Sequence, residues 1–297
     1  MMVQILRPHC GGKDETMKLC MNEMTFGRNG TLLTHIEDCR RHGISQLEIR
    51  KGDLMRCLRA GHTLAEIRAA LDENGVTSAS FNSIDNFTFN DARGAQLLKE
   101  NAELLLSTCR QLGCSQMEVI ASFNTPTGSK SEIFDETVRG LTLLSDLAAR
   151  YGVRLALEFM ATKGSSVQTL SECLDIVRAV GRDNVGILLD TWHFYAMGST
   201  FESLEQTKGR EIFMLHVSDC PAHAPGEAQR TESLLPGDGV IDLKRLLQTL
   251  DNIGYDGVVS AEIFAPEITA LPPEKMLPLV RERMERMLHA AGITYAV

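Results

Sequence analysis

Four apolar segments in the second half of the chain each end in a side chain that can hold a hard or borderline metal ion. Val153 to Glu158 (VRLALE) ends in a carboxylate, and Val185 to Asp190, opening the stretch VGILLDTWHF, ends in another. Ile212 to His216 (IFMLH) ends in an imidazole, and Val258 to Glu262 (VVSAE) in a third carboxylate. Continuous apolar runs of this kind read as buried parallel strands. Polar residues at the C-terminal ends of such strands sit where α/β barrels keep their chemistry. Taken singly, an acid that closes a strand is usually a helix cap or is solvated. Four potential ligands on four consecutive strand ends are different, because charged residues are rarely buried unless paired or liganded. Glu158, Asp190, His216 and Glu262 therefore form a candidate site for one divalent cation, and this donor set suits Mn²⁺, Mg²⁺, Co²⁺ or Zn²⁺. The carboxylates outnumber the charges of a dication, so a further cationic group is expected, with Arg50 or a protonated His193 as candidates. His193 is read as a substrate contact rather than as a core histidine. Its neighbour Trp192, the only tryptophan, is read as barrel packing.

The elements that must position these residues follow from periodicity and from turn signals. Met17–Thr25, Ile44–Arg50, Val76–Asn82 and Met117–Ser122 fit four earlier strands. Helical patterns cover Leu32–His42, a stretch opening at Thr63 with a Thr63/Glu66 capping box, Asp91–Leu112 and Ser131–Tyr151. In the second half, helices are expected over Leu170–Val180, near Phe201–Gln206, from an Asp242 cap to Ile253, and from Pro273 to about His289. Glycines at 43, 75, 113, 152, 181 and 254 close helices, as C-caps do. Eight strand-then-helix units in alternation imply an α/β fold, a single (β/α)8 TIM barrel over residues 17–297. Residues 1–16 are read as an extension outside it. A long polar loop, Ser218 to Gly239, follows the seventh strand.

Composition narrows the function. The chain has 297 residues and a formal net charge of −9, which disfavours a nucleic-acid binder. No segment reaches the roughly 20 apolar residues of a membrane span, and the first residues carry too little apolar length for a signal peptide. The 8 cysteines show no C-x-x-C and no disulfide spacing, which fits reduced thiols in a cytoplasmic protein. Homo-oligomerisation is compatible with this composition and not specified by it.

The motifs MKLCMNE, QLEIRKGDL, YGVRLALEF, RDNVGILLDTWHFYAMGS, ESLEQ and PGDGVIDL resemble the xylose-isomerase-like sugar isomerase and epimerase barrels, and within them the inosose isomerases of inositol catabolism. The resemblance covers nearly all of the chain from Met17 on. It implies one divalent cation on Glu158, Asp190, His216 and Glu262, with His193 as a substrate contact. It also implies a proton shift between adjacent carbons of a polyhydroxy ketone such as 2-keto-myo-inositol. Glu158 and Glu262, from well-separated strands, would then divide the removal and return of the proton. Arg50, Glu48, Asn22, Glu23 and Asn82 could hydrogen-bond substrate hydroxyls, or serve as rim salt bridges and caps. The chain departs from the inosose isomerases shortly before the Pro-Gly of the strand-seven loop. They carry an arginine and a tryptophan there; this chain has Ser233 and Leu235, with Arg230 nearby to take the arginine's part through a shifted loop. Two rival enzymes share the metal barrel: a 3-dehydroshikimate dehydratase and an apurinic-site endonuclease. The second needs extra histidines on the early strands, and none stands there. A third rival is a non-catalytic sugar-binding barrel.

Overall fold

The computed structural model describes residues 16–123, 125 and 128–297. The expected extension over residues 1–16 therefore lies, apart from Thr16, outside the described residues. Eight parallel strands form the inner wall: β1 (Met17–Asn22), β2 (Gln46–Arg50), β3 (Thr77–Ile84), β4 (Gln116–Ile120), β5 (Arg154–Glu158), β6 (Val185–Asp190), β7 (Ile212–Val217) and β8 (Val258–Ala261). Each pairs with the next, and β1 pairs with both β8 and β2, which closes the barrel. A two-residue strand, β9 (Tyr295–Ala296), runs beside the start of β1.

Helices α1 (Leu32–Arg41), α2 (Lys51–Arg59), α3 (Leu64–Asn74), α4 (Ala92–Gln111), α5 (Lys130–Arg150) and α6 (Leu170–Val180) follow the first five strands. Then come α7 (Thr191–Ala196), α8 (Phe201–Glu205), α9 (Leu243–Asn252), α10 (Pro266–Thr269) and α11 (Pro273–Ala291). The caps expected from sequence are in place. Thr63 and Glu66 form a reciprocal capping box at α3, Asp242 caps α9, and Gly75 and Gly181 take left-handed conformations behind α3 and α6. Two differences lie next to candidate site residues. The first strand stops at Asn22, whose side chain accepts from the Met24 amide and starts a 3₁₀ turn, Glu23–Phe26. The aromatic-rich stretch after Asp190 turns helical at once, as α7, because the Asp190 carboxylate accepts from the His193 amide 2.9 Å away. A carboxylate at that point supplies the cap that starts a helix. Helices α2 and α10 were also not expected; α2 follows Arg50 with no linker and no side-chain cap.

Strand period places the site. Successive inward positions on a strand are two residues apart. Cys20, Ala156, Leu188 and Met214 form a buried cluster, packed against Ala79 and Val258, that plugs the barrel interior. Two residues further along those same strands stand Asn22, Glu158, Asp190 and His216. The apolar plug therefore forms a floor, and the polar residues sit on it at the C-terminal rim. The larger apolar cluster lies between the strands and the helices that surround them.

Candidate functional site

The structure brings Glu158, Asp190, His216 and Glu262 together. One ligand atom from each lies within 4.8 Å of the others, and all four residues are buried. His216 Nδ1 is 3.3 Å from Glu262 Oε2, 3.8 Å from Glu158 Oε1 and 4.0 Å from Asp190 Oδ2. These contacts are too long or too poorly aimed to count as hydrogen bonds, so His216 Nδ1 and Glu158 Oε1 are buried polar atoms without a partner. Orphaned buried donors and acceptors are costly. A divalent cation satisfies both: it takes a neutral imidazole nitrogen and carboxylate oxygens as ligands. The donor set of three carboxylates and one imidazole is chemically that of a divalent-cation site.

The opposite ring nitrogen is already engaged. His216 Nε2 lies 2.9 Å from Glu48 Oε2, and that same oxygen accepts from the Ser260 hydroxyl at 3.1 Å. Glu48 is fully buried beneath His216 and does not reach the cavity wall. This departs from the expectation that Glu48 would hydrogen-bond substrate. Its carboxylate fixes the imidazole orientation instead, as partners of metal-binding histidines commonly do. The reason is strand period: Glu48 sits one inward layer below Arg50, and so below the rim.

His193 opens α7 just beyond Asp190. The Ala161 amide donates to its Nδ1 at 3.0 Å, which leaves the ring proton on Nε2. Nε2 faces the cavity, 3.9 Å from Glu158 Oε1. Burial pushes the His193 pKa down to about 4, with Asp190 acting in the opposite direction, so the ring is neutral near pH 7. The expectation that a protonated His193 balances the site is not met. Arg230 fills that role. Its guanidinium lies 2.6 Å from Asp190 Oδ2, also contacts Glu262 Oε2, and stacks over the rings of Trp192 and Phe264. Trp192 thus both packs in the barrel mouth and faces the cavity.

The carboxyls differ sharply. Burial and the neighbouring Glu262 charge push Glu158 up to about 8. Burial would also raise Glu262, but the His216 ring and the Arg230 guanidinium hold it well below the usual carboxylate range. The Asn22 amide adds a hydrogen bond to Glu262 Oε1 at 3.2 Å.

Arg230 rides on the long loop after β7, and one acid latches that loop. Asp219 Oδ1 accepts from the amides of Cys220 and Ile241, and Oδ2 from the amide of Gly237. Gly239 passes so close that an added Cβ would collide with Asp219 Oδ1. Ser233 accepts from the Phe264 amide at 2.8 Å, and Leu235 is buried. Ser233 and Leu235 therefore both hold the loop, and the guanidinium over the carboxylates comes from Arg230.

Two other candidates stand apart. Glu23 is buried, 2.7 Å from His35 Nδ1, and accepts from the Arg50 amide, which is a capping role. The Arg50 side chain leans 3.4 Å from Asp53 and lines a neighbouring chamber, while Asn82 lines the central cavity. The strand-end pattern does not single out one further cavity residue. Glu118, midway along β4, is buried, lines the cavity and has no partner for either oxygen. Burial, with Glu158 and Glu48 beside it, raises its pKa well above the usual carboxylate range. The signal was present: a charge in the middle of the apolar run QMEVI. The cavity over these groups holds about 490 Å³.

The chain matches the family described as xylose isomerase-like TIM barrel over residues 36–287. Inosose isomerase of Bacillus velezensis is 35% identical over 92% of this chain and 97% of its own length. Inosose isomerase of Bacillus subtilis is 34% identical over 90% and 96%. A 3-dehydroshikimate dehydratase of Pseudomonas putida is 24% identical over 84% of this chain but only 38% of its own length. Among solved structures, the IolI protein, crystallised with a bound zinc atom, superposes with a TM-score of 0.88 at 33% identity over 93% of this chain and 98% of its own.

Proposed function

The chain belongs to the xylose isomerase-like TIM-barrel family, and from that membership we propose that it is a divalent-metal-dependent inosose isomerase. The observation that carries the reading is the convergence of Glu158, Asp190, His216 and Glu262 at one rim, with His216 Nδ1 and Glu158 Oε1 unpartnered. These four residues would hold the metal. Zinc is the ion seen in the IolI protein; manganese, cobalt or magnesium suits the same donors. When bound, the ion would polarise the ketone oxygen and stabilise the negative charge that develops there as the α-proton leaves.

The remaining work belongs to the chain. Glu158 ends β5 and Glu262 follows β8, so they face a bound ketone from different sides, one to take the proton and one to return it. His193, neutral and held by the Ala161 amide, donates from Nε2 to a substrate oxygen. Arg230, stacked between Trp192 and Phe264, covers the cavity and offers its remaining N–H groups to hydroxyls. The 33–35% identity to inosose isomerases and to the IolI protein over nearly the full length, against 24% to the dehydratase, favours a cyclitol ketone over the dehydratase reaction.

The test incubates metal-loaded protein with 2-keto-myo-inositol in D₂O and follows the product by NMR. Deuterium at the carbon beside the carbonyl, with a new isomeric ketone, is expected. Absence of exchange, or loss of water from the product, refutes the isomerase reading.

A further inference from the structure

A second chamber of about 810 Å³ adjoins the cavity above the carboxylates and shares two wall residues with it, Met24 and Phe264. Its wall carries three arginines, Arg28, Arg50 and Arg56, and, among the described residues, no acidic one. That is the opposite sign from a chain of net charge −9. The buried carboxylate of Asp53 pins two of the guanidiniums from behind: Arg56 contacts Oδ1, and Arg50 lies 3.4 Å from Oδ2. Arg28 is exposed and has no acid partner among the described residues. Three arginines face one acid, Asp53, and the nearby Glu23 is taken up by His35, so positive charge is in excess in the chamber. Guanidiniums held in fixed positions suit the geometry of phosphate and carboxylate.

The walls are built rather than loose. Gly27, at φ 62°, crosses so close to α10 that an added Cβ would stand 2.5 Å from the Thr269 carbonyl. The Asn29 amide donates to the Thr269 and Leu271 carbonyls at 2.8 and 2.9 Å. These contacts tie the segment after β1 to the segment after β8, and so fix the chamber against the ketone cavity. A cavity of about 490 Å³ already accommodates a six-carbon ketone, which does not need the added space.

We propose that the Arg28–Arg50–Arg56 chamber binds the phosphate or carboxylate group of an anionic polyhydroxy ketone whose carbonyl end occupies the adjoining cavity. The enzyme then acts on anionic ketones as well as on the neutral cyclitol. The inference rests on the isomerase reading for its chemistry but on the arginines for its binding.

The test uses metal-loaded wild type and the Arg28→Ala/Arg56→Ala double variant. Inorganic phosphate binding is measured by calorimetry, and deuterium exchange into 2-keto-myo-inositol, D-fructose and D-fructose 6-phosphate by NMR. Phosphate is expected to bind wild type in the millimolar range and at least tenfold more weakly to the variant, with exchange into 2-keto-myo-inositol unchanged within twofold. The phosphorylated ketose is expected to show a lower KM than fructose in wild type only. Equal phosphate affinity in both proteins would place the anion on the metal and overturn the proposal. Phosphate binding lost in the variant without any KM advantage for the phosphorylated ketose would mean that the chamber takes a free anion, which refutes the substrate assignment. If exchange into every ketone is absent while the variant still loses phosphate binding, the isomerase reading fails and the anion site stands.

Discussion

Replacing Glu48 is the sharpest test of how the barrel holds its metal. Glu48 touches neither the cavity nor the metal-facing nitrogen of His216; it acts only through Nε2, 2.9 Å away, and shares its oxygen with Ser260. Glu48→Gln keeps one side-chain oxygen that accepts from both Nε2–H and the Ser260 hydroxyl, so the ring orientation survives and only the charge is lost. Glu48→Ala removes the acceptor too and leaves the ring free to turn. Loss of such a supporting partner typically costs 10–100-fold in metal affinity. The glutamine is expected near about 10-fold, about 1.4 kcal/mol, and the alanine near about 100-fold, about 2.8 kcal/mol. Competition titration of Zn²⁺ and Mn²⁺ against a chelator reads this directly, with circular dichroism to confirm the fold. The order matters as much as the size: wild type tightest, then glutamine, then alanine. Affinities within twofold of wild type for both variants would show that His216 is held by the barrel wall alone, and would refute the role given to Glu48.

Four further outcomes are expected. Glu262→Gln should keep the fold but lose about 10²–10⁴-fold in deuterium exchange, the usual contribution of a general base; normal turnover would remove Glu262 from the proton path. Asp219→Ala strips three backbone amides of their acceptor, which should destabilise the loop by a few kcal/mol at roughly 1–3 per lost partner. Because that loop carries Arg230, KM should rise, as read by denaturant unfolding together with steady-state kinetics. Chelation of the metal should abolish exchange and lower Tm, and added Zn²⁺ or Mn²⁺ should restore both, by preferential binding to the folded state. The last outcome concerns the buried Glu23–His35 pair. Burial raises the Glu23 pKa, and the Glu23 contacts outweigh burial to raise that of His35. Both shifts favour the protonated forms in the folded state. The stability that His35 contributes should therefore be full below about pH 6.5, the ordinary imidazole value, and fade as pH rises through its folded pKa. Comparing wild type with His35→Gln by urea unfolding across pH 5–9 checks the sign; a difference that grows with pH would refute it.

Glu158, Asp190, His216 and Glu262 were legible because a polar residue at or just beyond the end of an apolar strand, in a closed barrel, lands on the rim where ligands gather. Asp190 shows that the structural and functional readings of such a residue need not compete: it caps α7 and joins the cluster. Glu48 and Arg50 were harder, since alternation along QLEIR says that they share a face but not at which depth each side chain ends. Register with β1 and β3 sets that depth, and register is a property of pairing rather than of the single strand. Arg230 was legible only as a neighbour of the right charge, because the path of a long loop depends on a latch, Asp219, that sequence does not single out. Helix α7 was hidden by its own composition, as Thr, Trp, Phe and Tyr favour strands.

Glu118 carries the argument one layer deeper. Five carboxyl groups, from Glu48, Glu118, Glu158, Asp190 and Glu262, face the interior of one barrel. Arg230 supplies the opposing charge beside Asp190 and Glu262. A low-dielectric interior does not tolerate the surplus ionised, so some of it must be neutralised by protons or by a cation. The structure divides the task by depth. Burial pushes the Glu118 carboxyl towards its neutral form, and Glu48 pairs with His216. The surplus left at the rim, on Glu158, Asp190 and Glu262, faces the cavity. A dication can reach that surplus and a lysine or arginine buried in the floor could not have left it available. The acidic layers below thus do more than support His216: they leave the rim as the level at which the barrel's remaining negative charge must be met by something that enters from solvent.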